Sequence, residues 1–481
     1  MMLKVILFLY LILSSAVVFS KEIPVIVISA GKTPQSYSSV GSQVTVIDAE
    51  TIENSSESFL TDLLNNEVQG MNIFSLGGRG TNTGIQMRGL PKRYSTIYID
   101  GVKMYDPSTP DNSFYAEGLF TDSIERIEIL KGSQSSLYGN SAVGGTINIF
   151  TKKGRLGNHQ NATVKAGDNN SQNFFYSIDG ANENQNYFLK FNYYKTDGIS
   201  AMNNDSEKDP YENNNLTANY GYDISENYTV ENYLTLKDSY LKYDEPTDGR
   251  DDTKNSSDNF EAHYNLKFLN TNNKSKNTLS FNKSFSSRMV TKYTSKQQTY
   301  EGFKNMLNYL GEYNFNLDNK IVFGIDSEFD SSRYPISWGQ TETVHDESVI
   351  SQYFDFQFRP IQNLYSTVGL RSDEHSTVGR KTSGRTTLAY QLDGNSKIRS
   401  SLGAGVRFPA LYDYKYGSST VLAKGSSYDD LQSERGLSFD LGYDTYLDDL
   451  DLGFGITYFK TKTKNPLVSN ARTEWVVRNA N

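Results

Sequence analysis

Ile85-Gln86-Met87-Arg88-Gly89, Tyr98-Ile99-Asp100-Gly101-Val102 and Ile124-Glu125-Arg126-Ile127-Glu128-Ile129-Leu130-Lys131-Gly132 follow one another along the chain. Ser135-Ser136-Leu137-Tyr138-Gly139 and Ala142-Val143-Gly144-Gly145-Thr146-Ile147-Asn148-Ile149 complete the stretch. Short apolar runs bounded by glycine read as strands joined by tight turns. Gly89, Gly101, Gly132 and Gly139 sit where strands end, and glycine takes a positive φ there without a steric cost. Asp100 before Gly101 is a tight-turn signal, and the Gly144-Gly145 pair lets backbones approach closely. Gly77-Gly78-Arg79-Gly80, just upstream, is not a phosphate loop. No Gly-Lys-Ser/Thr follows, and the strand–helix context of a dinucleotide site is missing. It reads as an apex loop.

Working outward, Val44, Val46 and Ile47 predict another short strand. Phe59, Leu60, Leu63 and Leu64 recur at helical spacing, with Gly70 as the expected stop. Residues 36–154 thus form one compact α+β domain. Met1–Ser20 reads as a cleaved secretory signal: Lys4 supplies charge, Val5 to Leu13 is apolar, and Val18 and Ser20 suit the cleavage site. Residues 155–481 have a different texture. Tyr187, Leu189, Phe191 and Tyr193 alternate with Phe188, Lys190 and Asn192. Ile321, Phe323, Ile325 and Phe329 alternate with Gly324, Asp326 and Glu328, and Leu450 to Tyr458 repeats the pattern. Period 2 with one apolar face is what lipid outside and a wet lumen inside require. Polar stretches such as Asn203 to Asn215 and Asp244 to Asp258 suit long loops at one rim. A soluble sandwich also alternates, but one this long would divide into domains and no boundary is visible. A closed barrel removes the unpaired edge instead.

Composition excludes much else. The 481 residues hold 47 basic and 56 acidic side chains, a formal charge of −9, with 34 Tyr, 26 Phe and no Cys. Mean hydropathy is −0.57. After the first 20 residues nothing approaches the roughly 20-residue apolar span of a membrane helix. Without Cys there is no disulfide scaffold and no Cys-ligated zinc or iron–sulfur site. An acidic chain lacking a basic stripe is a poor nucleic-acid binder. Nothing assembles a nucleophile, base and oxyanion site, so an enzyme is not expected.

The order and spacing of the motifs in 85–154 strongly resembles the plug domain of TonB-dependent outer-membrane receptors. The resemblance implies a mainly β fold: an α+β plug (36–154) inside an antiparallel transmembrane β-barrel (155–481), exported to the outer membrane by the signal at 1–20. Arg371-Ser372-Asp373-Glu374-His375-Ser376, Gly403-Ala404-Gly405-Val406-Arg407-Phe408-Pro409 and the strand from Glu434 to Asp444 look like landmarks of these barrels. They are most similar to the cobalamin-transporter branch, as is Thr196-Asp197-Gly198. Family barrels have about 22 strands. At about 9–11 residues per strand plus long loops, residues 155–481 are expected to supply roughly 14–16. Trp475 to Asn481 also resembles an internal strand, so the chain is expected to be a truncated barrel.

The resemblance implies roles as well. Ile23, Pro24, Val25, Ile26, Val27 and Ile28, in the segment 21–35 ahead of the plug, resemble the TonB box. A β-prone tether can add to a partner's sheet edge, and Pro24 is tolerated at the start of an edge strand. Arg88 would pair with a barrel carboxylate and lock the plug. The second lock position holds Lys131 rather than the usual Arg, and Lys lacks the bidentate fork. Ligand contacts are expected at Arg79, Thr81 and Asn82 in one apex loop. Tyr105, Asp106, Asn112, Ser113, Phe114 and Tyr115 are expected in a second. In cobalamin transporters two acidic loops bind calcium; Asp209, Glu212, Asp244, Asp248, Asp251 and Asp252 occupy comparable segments here, and calcium takes six to eight oxygens. No other cofactor is required. The expected function is energised uptake of a scarce metal chelate, cobalamin first and a ferric siderophore second. The expected partners are the TonB complex, outer-membrane lipid and the outer-membrane assembly machinery, with no nucleic acid. A passive porin or adhesin would have no use for a plug or a TonB box. Haem receptors place a His after the Arg-x-Pro-type segment, and none follows Phe408.

Overall fold

The computed structural model describes residues 26–201, 207–244, 255–292, 295–334, 343–413, 431–450, 452–469 and 477–479. The signal segment 1–20, Ile23, Pro24, Val25, Asp248, Asp251, Asp252 and Trp475 lie outside the described residues.

The N-terminal domain contains β1 (Ile26–Val27), β2 (Gln35–Ser36), β3 (Gln43–Ile47), β4 (Met71–Ser75), β5 (Thr83–Met87), β6 (Ser95–Ile99), β7 (Val102–Met104), β8 (Ile124–Lys131) and β9 (Gly145–Thr151). Its helices are α1 (Ala49–Asn54), α2 (Leu60–Glu67) and α3 (Ser135–Tyr138). Five strands form a sheet in the order β3-β8-β9-β6-β7. The central β8 and β9 alternate isoleucines with polar residues, which turns one face to a core. Ile127, Ile129, Ile147 and Ile149 pack with Leu60, Leu63 and Leu64 of α2 in one core. Asp100 and Gly101 both take positive φ, 48° and 82°, the backbone of a two-residue hairpin turn, and they fold β6 onto β7. Helix α2 ends at Glu67 with Val68 as its cap. Gly70, expected to stop it, sits farther on at φ 73° and turns the chain into β4.

Among the described residues the second domain is a 15-stranded antiparallel sheet in strict chain order. Its strands are β10 (Gly157–Gly167), β11 (Ser171–Ala181), β12 (Gln185–Thr196), β13 (Tyr211–Ser225), β14 (Tyr228–Lys242), β15 (Ser256–Thr271), β16 (Ser275–Lys292) and β17 (Ser295–Asn314). They continue as β18 (Lys320–Tyr334), β19 (Thr343–Ile361), β20 (Leu364–His375), β21 (Gly379–Gln391), β22 (Ser396–Arg407), β23 (Glu434–Leu447) and β24 (Leu452–Lys464). The count falls within the expected 14–16. Leu189 and Phe191 point outward, 40% and 39% exposed, while Lys190 and Asn192 between them are buried toward the plug. Connections at one rim take two to five residues; those at the other include 197–210, 243–255, 335–342 and 408–433. Short turns on one side and long loops on the other are the pattern of outer-membrane barrels, where the long loops face outward. No helix among the described residues is long and apolar enough to cross a membrane, which says nothing about crossing by strands.

Candidate functional site

The plug is fastened to one wall of the barrel. On β23, Glu434, Gly436, Ser438 and Asp440 share the inward face because side chains alternate along a strand. Arg88, at φ 52° beside Gly89, reaches Asp440 at 2.8 Å, with both side chains buried. Its second nitrogen donates to Gln43 Oε1 at 2.5 Å, and its guanidinium lies 4.4 Å over the Phe459 ring. Arg88 thus forms a buried ion pair between plug and barrel, with Asp440 as the carboxylate. Lys131 does not. Its amine donates to the Gln69 carbonyl within the plug, while Arg88 occupies the carboxylate. Burial, then the nearby Arg88 and Arg399, push the Lys131 pKa down to about 8. A second fastening was missed in the sequence: Arg93 Nε lies 3.5 Å from Glu434, which also pairs with Arg407 at 3.3 Å. Small residues on β22 and β23 let the plug come close. A Cβ on Gly436 would sit 2.2 Å from Val143 Cγ1, and one on Gly405 would sit 2.8 Å from Ser133 and Ser135 hydroxyls. The alternating acid–Gly–Ser–acid pattern on β23 was the available signal.

At the long-loop rim lies a cavity of about 510 Å³ between the apex loop 77–80, α2 and the β10–β12 end of the sheet. Of the expected ligand contacts, Arg79 alone lines it. Arg79 is held by Asp62 at 2.6 Å and lies 4.5 Å over the Phe59 ring. Thr81 bonds back to the Gly78 carbonyl at 2.7 Å, and Asn82 accepts from Lys92 at 3.0 Å. The second loop is committed to the barrel. The Tyr105 hydroxyl lies 2.6 Å from Asp330 and 2.7 Å from Glu328, and burial first, then Asp330, raise its pKa well above the usual range. Asp106 accepts from Ser108 N at 2.8 Å. Tyr115 accepts from Arg288 at 3.0 Å, and Phe114 packs on the plug core. Asn112 and Ser113 line a small cleft of about 40 Å³ with Lys92 and Arg93. Glu117, not foreseen, lines the large cavity; its Oε2 is buried without a hydrogen-bond partner among the described residues, and burial pushes its pKa up to about 8.

Beside the same apex loop, Glu207, Asp209 and Asp244 bring carboxylate oxygens within 4.8 Å of one another. Asp244 Oδ2 accepts from Ala201 N at 3.0 Å, which ties the 197–210 connection to 243–255. Asp244 Oδ1 is buried and has no hydrogen-bond partner among the described residues. The expected Asp209 and Asp244 are thus brought together, but Glu212 is not. It lies on β13 next to the inward Tyr211, so strand alternation sends Glu212 outward. Glu207 takes the third place. Three converging carboxylates suit a hard divalent cation.

Around the short-turn rim, Ile26–Val27 pairs with Gln35–Ser36, and Val27 is buried with Ala30, Val40, Val44 and Leu130. The described part of the TonB-box-like segment is therefore docked rather than a free tether. The Ile28 and Ser29 amides donate to the Glu128 carboxylate at 3.0 and 2.8 Å, and Ser29 Oγ donates at 2.6 Å.

A strand wall fastened by buried ion pairs around a plug, with a cavity toward the long loops, defines a plugged barrel of the outer-membrane receptor class. The chain belongs to the TonB-dependent receptors: residues 36–146 match the family described as TonB-dependent Receptor Plug Domain, and 155–481 match TonB dependent receptor-like, beta-barrel. It is 22% identical over 435 residues to the Vitamin B12 transporter BtuB of Vibrio vulnificus strain CMCP6, covering 87% of this chain and 67% of that protein. The chain thus spans about two thirds of that relative's length. Over 162 residues it is 34% identical to an iron-regulated outer membrane virulence protein of Vibrio cholerae serotype O1, covering 31% and 24% of the two chains. Among solved structures it is similar to the siderophore receptor PirA from Acinetobacter baumannii, with TM-score 0.77, 18% identity, and 92% and 76% of the two chains covered. That likeness speaks to the fold. These relatives are transport receptors, not enzymes.

Proposed function

We propose that this receptor takes up cobalamin across the outer membrane, energised through TonB, with calcium ordering the loops above the plug. The observation that carries the reading is the cluster of Glu207, Asp209 and Asp244, which draws acidic groups from two rim connections to the edge of the apex loop. Charge supports it as well. Arg79 is the one basic side chain among the described residues lining the outer cavity, and Asp62 engages it; Asp168 adds acid. Such a lining favours an uncharged or cationic ligand over a polyanionic ferric chelate.

The test is uptake of labelled cyanocobalamin and of ferric siderophores, with and without proton-motive force. Cyanocobalamin uptake that stops when the force is collapsed supports the reading. Uptake of a ferric siderophore alone favours the second reading, a siderophore receptor like PirA. Calcium should strengthen cyanocobalamin binding, and Asp209→Asn with Asp244→Asn should abolish that gain. Calorimetry with no heat at millimolar calcium would remove the calcium role.

A further inference from the structure

Outward-facing charge is not spread evenly around the rim of long loops. Strand β23 starts at that rim, after the 408–433 connection, and β24 ends there. Their register sets Arg435 opposite Lys464, Leu437 opposite Lys462 and Phe439 opposite Lys460. Residues directly opposite each other share a face. Arg435, Leu437, Phe439 and Leu441 are exposed, whereas Glu434, Gly436, Ser438 and Asp440 are buried toward the plug. Lys460, Lys462 and Lys464 therefore point outward, above Leu452, Phe454, Ile456 and Tyr458 on the same face of β24. No carboxylate shares that face on either strand. Strand β24 has no acid, and Glu434, Asp440 and Asp444 of β23 lie on the inward side, where Asp444 meets Arg399 at 2.7 Å.

Four cations on neighbouring strands thus face outward without an acid partner among the described residues. Like charges directly opposite destabilise a sheet, so Arg435 beside Lys464 needs a counter-charge. Elsewhere on this rim the sheet supplies one: Arg333 reaches Glu301 at 2.9 Å and Arg380 reaches Glu374 at 2.7 Å. On β23 and β24 it does not. Depth indicates where the counter-charge comes from. At about 3.3 Å per residue and a tilt of about 40°, Lys460 stands about 20 Å and Lys464 about 30 Å above Leu452. The apolar band of such barrels is about 25 Å tall. The lysines straddle its outer boundary, where their stems stay in the apolar layer and their amines reach the headgroups. Clustered cations at that boundary suit anionic lipid. From Lys460 to Lys464 the ladder runs about 13 Å along the strand, more than one phosphate covers.

We propose that the outward face of β23 and β24 binds an outer-leaflet lipid whose headgroup carries more than one phosphate. Lys460, Lys462, Lys464 and Arg435 hold the phosphates, Arg435 through its planar fork, and the acyl chains lie along Phe454, Ile456, Tyr458 and Leu441. The proposal rests on the sheet spanning the outer membrane and is independent of which solute is imported. To test it, the full chain in detergent is incubated with diphosphoryl lipid A, monophosphoryl lipid A or dioleoylphosphatidylcholine, and native mass spectrometry counts the lipid retained. Diphosphoryl lipid A should be retained several-fold over the other two, and added salt should shrink the excess, because exposed charges are screened. Lys462→Gln with Lys464→Gln should lose most of the excess. Arg333→Gln, which removes a cation that already has an acid, should keep it. Urea titration in phosphatidylcholine vesicles should give the double variant the parent's midpoint, which separates lost binding from lost folding; Arg435→Gln repeats the test should the double variant misfold. Equal retention of the three lipids, or a full excess in the folded variants, overturns the proposal. Displacement of the lipid by equimolar inorganic pyrophosphate also overturns it, since the patch would then be a site for free phosphate anions.

Discussion

At the residue scale, Glu117 carries the clearest consequence. Its carboxyl is buried, and burial raises its pKa from 4.5 to about 8, so the folded chain holds a proton that the unfolded chain releases. Between about pH 4.5 and 8 the native state binds more protons, and stability falls as pH rises. Glu117→Gln removes that dependence. Thermal unfolding midpoints of the two proteins should nearly coincide at pH 5, diverge toward pH 8 in favour of the variant, and keep a constant gap above it. The sequence could not have singled out Glu117, because its cost comes from neighbours distant in the chain. Arg88 was legible because Arg before Gly at a strand end belongs to a recognisable order of motifs. Lys131 misled for the opposite reason: its position matched, but Arg88 had already taken the carboxylate.

Among elements, β23 is the plug's anchorage. It supplies Asp440 to Arg88 and Glu434 to Arg93, with Gly436 between them to let Val143 come close. Removing one partner of a buried pair leaves an uncompensated charge, at a cost of about 3–5 kcal/mol. Asp440→Ala and Arg88→Ala should each destabilise plug docking by about that much. The double variant should lose much less than the two together, since contacting partners couple. Denaturant titration of the purified receptor, followed by protease access to the plug, reads this directly. Additive losses would show that the pair is not acting as one. Strand β23 itself was foreseen from the resemblance of Glu434 to Asp444 to the family's barrel landmarks. That its inward face serves the plug was not, because alternation gives the face and not what lies across it. The docked state of Ile26–Val27 was hidden likewise: a β-prone segment reads the same whether it pairs with its own chain or with a partner.

On the scale of the whole molecule, the outward apolar belt and the two unequal rims were the most legible features, since both follow from period 2 and loop polarity. The belt makes a depth-dependent prediction. Ile325 faces outward from mid-strand β18, 52% exposed, whereas Leu317 lies fully exposed in the short connection before it. Lysine at a lipid-facing mid-membrane site costs about 2–4 kcal/mol, and near the interface about 0–1. Ile325→Lys should therefore weaken folding into lipid vesicles by the larger amount and Leu317→Lys by the smaller, as read by urea titration. Equal effects would place Ile325 away from the bilayer interior. The fastening of the plug to β23 also has a temporal consequence. Arg88 and Asp440 are 352 positions apart, and contacts so distant in sequence close late because the intervening chain must first be ordered. Thirteen strands precede β23 in the barrel. The plug is therefore complete in sequence long before its β23 anchorage exists, and until that strand arrives it is held only through earlier strands, as by Tyr105 on Asp330 and Tyr115 on Arg288.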